Sequence, residues 1–224
     1  ALVINTPMNP IGRVFDREEL DIIARVVARS NANVICDEVY EHLVFDRREH
    51  IPLMTLPGMR DRVVRCGSAG KMFSLTGWKV GWVTGSAAPI DAIAKAHQFL
   101  TFTTSPALQL GVAHGLDHEI DFTLNLTDEL QHNRDLLAEG LSRVGFEVLP
   151  SEGTYFLTAG ISALTNEPDR IFCERLVREA GVAAIPLSAF FAGAKPDRFV
   201  RFAFCKRRAV IEEALSRIQS HFAK

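Results

Sequence analysis

Apolar and polar positions alternate along the chain in two rhythms, and the rhythm changes near residue 120. Ala1-Leu2-Val3-Ile4-Asn5 is a short apolar run of the kind that forms a buried strand. A turn-rich stretch, Asn5 to Gly12, follows it. Asp16 with Glu19 three positions later then predicts a capping box, and Leu20, Ile23 and Val27 give the helix behind it one apolar stripe. Asn33 to Cys36 predicts a parallel strand ending in Asp37-Glu38-Val39-Tyr40, and two more strands are expected at Arg62 to Cys66 and Val80 to Thr84. Strand, helix and strand at this spacing describe an α/β sheet whose ligand groups gather at strand ends.

From about Asp121 the pattern becomes one long amphipathic helix, with Leu126, Leu130, Leu137 and Leu141 on its stripe and Gly145 as its stop. Strands near Phe146 to Leu149 and Thr154 to Thr158, a helix from Asp169 to Ala180, a strand at Phe199 to Phe204 and a closing helix to Phe222 complete an α+β lobe. The expected division is 1–120 and 121–224. Because the first residues already read as a strand, a further N-terminal portion is expected to precede them.

Composition narrows the function classes. The 224 residues carry 25 Lys and Arg against 27 Asp and Glu, a net charge of −2 with no basic excess to attract nucleic acid. Four cysteines, at 36, 66, 173 and 205, form no CxxC pair, which disfavours a disulfide framework and a zinc ribbon and fits a reducing cytoplasm. The uncharged stretch Ala96 to Leu116 is long enough to span a bilayer but is interrupted by His97, Gln98, Pro106 and several threonines, so no membrane helix is expected.

Cys66-Gly67-Ser68-Ala69-Gly70-Lys71 places a lysine in a small-residue loop just past an apolar strand. A nucleotide phosphate loop requires four residues between its glycines and a Ser or Thr after the lysine; here two residues separate the glycines and Met72 follows. The other reading makes Lys71 a Schiff-base lysine, with Asp37 as the carboxylate that keeps a pyridine nitrogen protonated. Taken alone, Lys71 reads first as a solvated loop lysine and Asp37 as a helix cap. His114 and His118 stand four apart on an expected helix, but no third metal ligand accompanies them.

Five segments in order change that balance: Asn5-Thr6-Pro7-Met8-Asn9-Pro10-Ile11-Gly12, Asp37-Glu38-Val39-Tyr40, the run from Ser68 to Trp82, Gly153-Thr154-Tyr155-Phe156-Leu157, and Arg201-Phe202. Together they resemble the fold-type I pyridoxal-phosphate aminotransferases of class I/II, over almost the whole chain. The resemblance implies part of a large, mostly parallel-sheet cofactor domain followed by a C-terminal α+β small domain. It further implies amino transfer from an L-amino acid to a 2-oxo acid, with pyridoxal 5'-phosphate as cofactor, no metal, and a homodimer.

By position, the resemblance makes Lys71 the Schiff-base lysine and proton shuttle, and Asp37 the partner of the pyridinium nitrogen. Asn9 and Tyr40 would donate to the phenolic oxygen, and Ser68 and Lys79 would hold the phosphate. Lysine at 79, in Gly-Trp-Lys-Val-Gly, resembles the branch acting on kynurenine, glutamine or methionine. A lysine there offers a point charge instead of a bidentate fork. Arg201 would grip the substrate α-carboxylate; read from its strand alone it equally expects an internal Asp or Glu partner. Tyr155, Phe190 and Phe191 are expected at the pocket wall, Trp78 in packing, and Asn9-Pro10 as a cis bond. A β-lyase, another enzyme of the same cofactor, or a catalytically incomplete fragment remain the alternatives.

Overall fold

The computed structural model describes residues 1–193 and 195–223. Its secondary structure comprises β1 (Leu2–Asn5), α1 (Arg17–Ala28), β2 (Val34–Asp37), β3 (Val63–Ser68), α2 (Ala69–Met72), β4 (Gly81–Thr84), α3 (Ala87–Leu100) and α4 (Pro106–His118). These are followed by α5 (Ile120–Val144), β5 (Glu147–Val148), β6 (Phe156–Gly160), α6 (Asp169–Ala180), β7 (Ile185–Pro186), β8 (Phe199–Ala203) and α7 (Arg208–Phe222). Two compact units divide the chain: residues 1–7 with 14–127, and residues 8–13 with 128–224.

The first unit is α/β. Its four strands lie in the order β1-β2-β3-β4; the first three pair in parallel and β4 turns antiparallel against β3. The register sets Asn5 beside Asp37 and Asp37 beside Cys66, so β1 and β2 end level while β3 runs two residues further, to Ser68. The expected capping box is present on α1, with Glu19 N donating to Asp16 Oδ1 at 2.9 Å and Asp16 N donating to Glu19 Oε2 at 3.0 Å. That cap fixes the phase of the helix, and Leu20 and Val27 drop into a core with Ile4, Val34, Cys36, Met59 and Val63.

Helix α3 is the element the periodicity does not foretell. None of its residues is buried, and Phe99 and Leu100 are 87% and 82% exposed, so its apolar side chains enter no core of the first unit. No helix among the described residues is long and apolar enough to cross a membrane.

The second unit is a four-stranded antiparallel sheet, β5-β6-β8-β7, with helices α6 and α7 and the later part of α5. Phe146 is its aromatic hub, meeting Phe172, Phe202 and Phe222 edge-on at 5.8–6.0 Å between ring centres. Helix α5 ends at Val144 because Gly145 takes φ +107, as its position predicts. Strand β6 begins at Phe156, two residues later than expected. Thr154 adopts φ +70 and its hydroxyl accepts from Phe156 N at 3.1 Å, which breaks the extended path before the strand.

The short segment 8–13 joins this unit through Gly12, whose carbonyl accepts from Glu152 N at 2.8 Å and Gly153 N at 2.9 Å. A Cβ at Gly12 would stand 2.5 Å from Ser151 Oγ, and φ is +73, so a glycine is required for that approach.

Candidate active site

In the first unit the candidate residues gather where the parallel strands end. Asp37 closes β2, where its main-chain carbonyl accepts from Asn5 Nδ2 at 2.9 Å and Thr6 N at 3.2 Å. The chain then turns tightly, with Glu41 N donating to Glu38 O and Leu43 N to Tyr40 O, which carries Tyr40 inward until only 3% of it is exposed. Strand β3 ends at Ser68 and passes directly into the single turn α2, which carries half-buried Lys71. Lys71 Nζ stands 5.7 Å from the centre of the Tyr40 ring. An amine, a phenol and a carboxylate thus share one sheet end of one unit, the place where open α/β sheets take ligands.

Small residues make the approach possible. A Cβ on Gly67 would overlap the Trp82 indole, and one on Gly70 would meet Thr76 Cα at 3.1 Å and Ser68 Oγ at 3.3 Å. Lys79 is exposed and closes the Thr76–Trp78 turn in the left-handed region, φ +56. Trp78 packs where expected, its ring meeting the site of a Gly111 Cβ at 3.0 Å on α4.

The second unit holds the other two predicted residues together. Arg201, in the middle of β8, is 9% exposed, and its Nη1 donates to Asn9 Oδ1 at 2.6 Å. The guanidinium carbon lies 3.8 Å from the centre of the Phe156 ring and 4.9 Å from that of Phe190. Sequence reasoning grouped Asn9 with the cofactor residues and did not foresee this partnership. Gly12 is the signal that accounts for it, by hooking segment 8–13 to the loop at 151–153. Both X-Pro bonds of that region, Thr6-Pro7 and Asn9-Pro10, are cis.

A second cluster escaped the sequence reading. Glu38, fully buried, accepts from Arg65 Nε at 2.6 Å and lies 3.3 Å from His50 Nε2, and Arg65 also pairs with Glu41. Burial disfavours the Arg65 charge, yet the two carboxylates outweigh it and hold its pKa above the ordinary arginine value. The Cys36 thiol is pushed up to about 12, first by burial and then by Glu38. Glu38, Glu41 and His50 are the one group of three potential metal ligands among the described residues; Arg65 already supplies a cation to them. The His114 and His118 rings lie 4.7 Å apart, tilted by 55°, and belong to no such group.

The model of the family "Aminotransferase class I and II" matches residues 1–218. The chain belongs to the class I and II aminotransferases. It is 43% identical to the probable N-succinyldiaminopimelate aminotransferase of Mycobacterium tuberculosis over 97% of its own length and 57% of the relative's. It is 39% identical to the methionine aminotransferase of Escherichia coli, covering 97% of the chain and 56% of that protein. The human kynurenine–oxoglutarate transaminase 1 is 35% identical over 95% of the chain and 55% of its own length. In structure, the chain superposes on the Mycobacterium tuberculosis N-succinyldiaminopimelate aminotransferase with a TM-score of 0.95 at 44% identity, over 98% of this chain and 57% of that one. The aminotransferase chain therefore spans a little over half the length of the relatives it matches.

Proposed function

We propose that this chain is the part of an aminotransferase that binds pyridoxal 5'-phosphate and moves an amino group from an L-amino acid to a 2-oxo acid. The observation that carries the reading is the placing of Lys71 beside buried Tyr40, one turn past a strand whose parallel neighbour ends in Asp37. This donor set fits the cofactor: an amine for its carbonyl, a carboxylate for its ring nitrogen, a phenol for its ring oxygen, and Ser68 and Lys79 for its phosphate. When bound, the cofactor supplies an electron-withdrawing ring that accepts the electron pair left by the substrate Cα proton.

The protein's own groups do the rest. Lys71 Nζ takes the proton from the substrate Cα and returns it on the cofactor side, which requires an amine held close to the reacting carbon. Asp37 keeps the ring nitrogen protonated by opposing its charge. Tyr40 and Asn9 serve the ring oxygen, and Arg201 takes the α-carboxylate through its planar fork, with Asn9 Oδ1 setting the orientation of one guanidinium nitrogen.

The enzyme is proposed to work in the cytoplasm as a homodimer; its four cysteines form no disulfide, as a reducing compartment favours. Light scattering on the complete polypeptide tests the dimer, and a monomer would count against it. The activity is tested by absorbance titration of the chain and of Lys71→Ala with pyridoxal phosphate, followed by methionine or kynurenine and then 2-oxoglutarate. A band that needs Lys71 and fades on addition of the amino acid is expected. A band indifferent to Lys71 would overturn the assignment of the lysine.

A further inference from the structure

The two rings that flank Arg201 are held in different ways. Phe156 belongs to β6, in register with Ala203 of β8, so the ladder itself fixes it two residues from Arg201. Phe190 ends the single turn Leu187–Phe190, outside the sheet, and is 45% exposed. Strand β7 tethers the residues before this turn, pairing Ile185 with Arg201 and Pro186 with Val200. Within the turn the anchor is Asp169, the first residue of α6. Its carboxylate is 1% exposed; Oδ2 accepts from Ser188 N and Oδ1 accepts from Ser188 Oγ, both at 2.8 Å. Asp169 N in turn donates to Asp197 O at 2.7 Å, close to the start of β8.

We propose that Asp169 and Ser188 form a clamp that positions Arg201 by holding Phe190 over its guanidinium. A buried carboxylate with both oxygens committed to one serine fixes the phase of the turn. The turn then presents its last side chain, Phe190, to the cation. With both rings within 5 Å of its carbon, the guanidinium is restrained in orientation, and its fork meets a carboxylate edge-on instead of sampling other orientations. Asp169 touches neither substrate nor Arg201; it is a positioning residue, and the inference rests on the reading of Arg201 as the carboxylate site.

The test is the rate at which phenylglyoxal modifies Arg201, followed by peptide mass spectrometry on the full chain loaded with pyridoxal phosphate. In the parent chain 2-oxoglutarate is expected to slow modification of Arg201. No protection would overturn the carboxylate reading and the proposal with it. If protection is seen, Asp169→Ala and Phe190→Ala are each expected to speed modification and to weaken protection roughly two- to fivefold, the loss of one cation–π contact. The double variant should do no more than either alone. Asp169→Asn, which keeps an acceptor for one Ser188 donor, should restore part of the effect.

Arg134, also buried in this unit but on α5, is the control and should not change. If Asp169→Ala exposes Arg134 too, the variant has lost its fold, and Ser188→Ala, which keeps the main-chain hydrogen bond, decides the matter. Unchanged Arg201 reactivity in Ser188→Ala and Asp169→Asn, beside a clear rise in Phe190→Ala, would overturn the clamp while sparing the carboxylate reading.

Discussion

Replacing Arg65 by Met tests whether the buried charge cluster holds the first unit together. Glu38 has no exposed surface, its Oε1 has no hydrogen-bond partner, and its Oε2 receives the Arg65 Nε at 2.6 Å. Methionine matches the arginine stem in bulk, so packing changes little and the perturbation is the loss of the cation. Removing one partner of a buried pair costs about 3–5 kcal/mol, because the remaining carboxylate is left without compensation. The Arg65 side chain is 22% exposed, so water softens the loss and the low end of that range, about 3 kcal/mol, applies. For a chain of this size such a loss lowers Tm by roughly 6–12 °C. Trp78 and Trp82 are the chain's two tryptophans and both lie in the first unit, so guanidinium unfolding followed by their fluorescence reports this unit alone. Glu38→Gln combined with Arg65→Met removes the cation and the fully buried carboxylate, leaving only Glu41, which is 15% exposed, and should recover most of the stability. A deficit below about 1 kcal/mol for Arg65→Met, or an equal deficit in the double variant, would refute the reasoning.

Four more outcomes are expected. Cys36 and Cys173 are buried with pKa values pushed up to about 12 from 9.0, so in the native chain a disulfide reagent at pH 8 should label exposed Cys205 first and reach these two only on unfolding. In the unfolded chain the same thiols ionise above 9.0, while in the folded chain they stay protonated to about 12, so stability should fall as pH rises through that window and fall less in Cys36→Ala/Cys173→Ala. Asp16→Ala removes the α1 capping box and should cost about 1 kcal/mol in chemical denaturation. Gly67→Ala drives a methyl into the Trp82 indole and should cost about 1–3 kcal/mol, with a shift in Trp emission; an unchanged spectrum and midpoint would show that the strand pair yields freely.

Much of this molecule was determined by local pattern. The capping box at Asp16 and Glu19, the glycine stop at 145 and two apolar strands are decided by neighbours within a few residues; the strands expected at 33–36 and 62–66 stand at 34–37 and 63–68. Lys71 and Asp37 were legible as candidates because a strand end and a small-residue loop are local features, whereas Tyr40 entered only through the family resemblance. Helix α3 was not read in advance, and the structure buries none of its residues. What only tertiary structure decided was partnership across long stretches of chain. Asn9 meets Arg201 because Gly12 lets segment 8–13 approach the loop at 151–153. Arg65 meets Glu38 because two strands pair in register, and Asp169 meets Ser188 because a helix and a turn share one sheet. Hydrogen bonds and ion pairs between residues 19, 27 or 192 positions apart leave no trace in local periodicity; the fold must form before the charges can find each other.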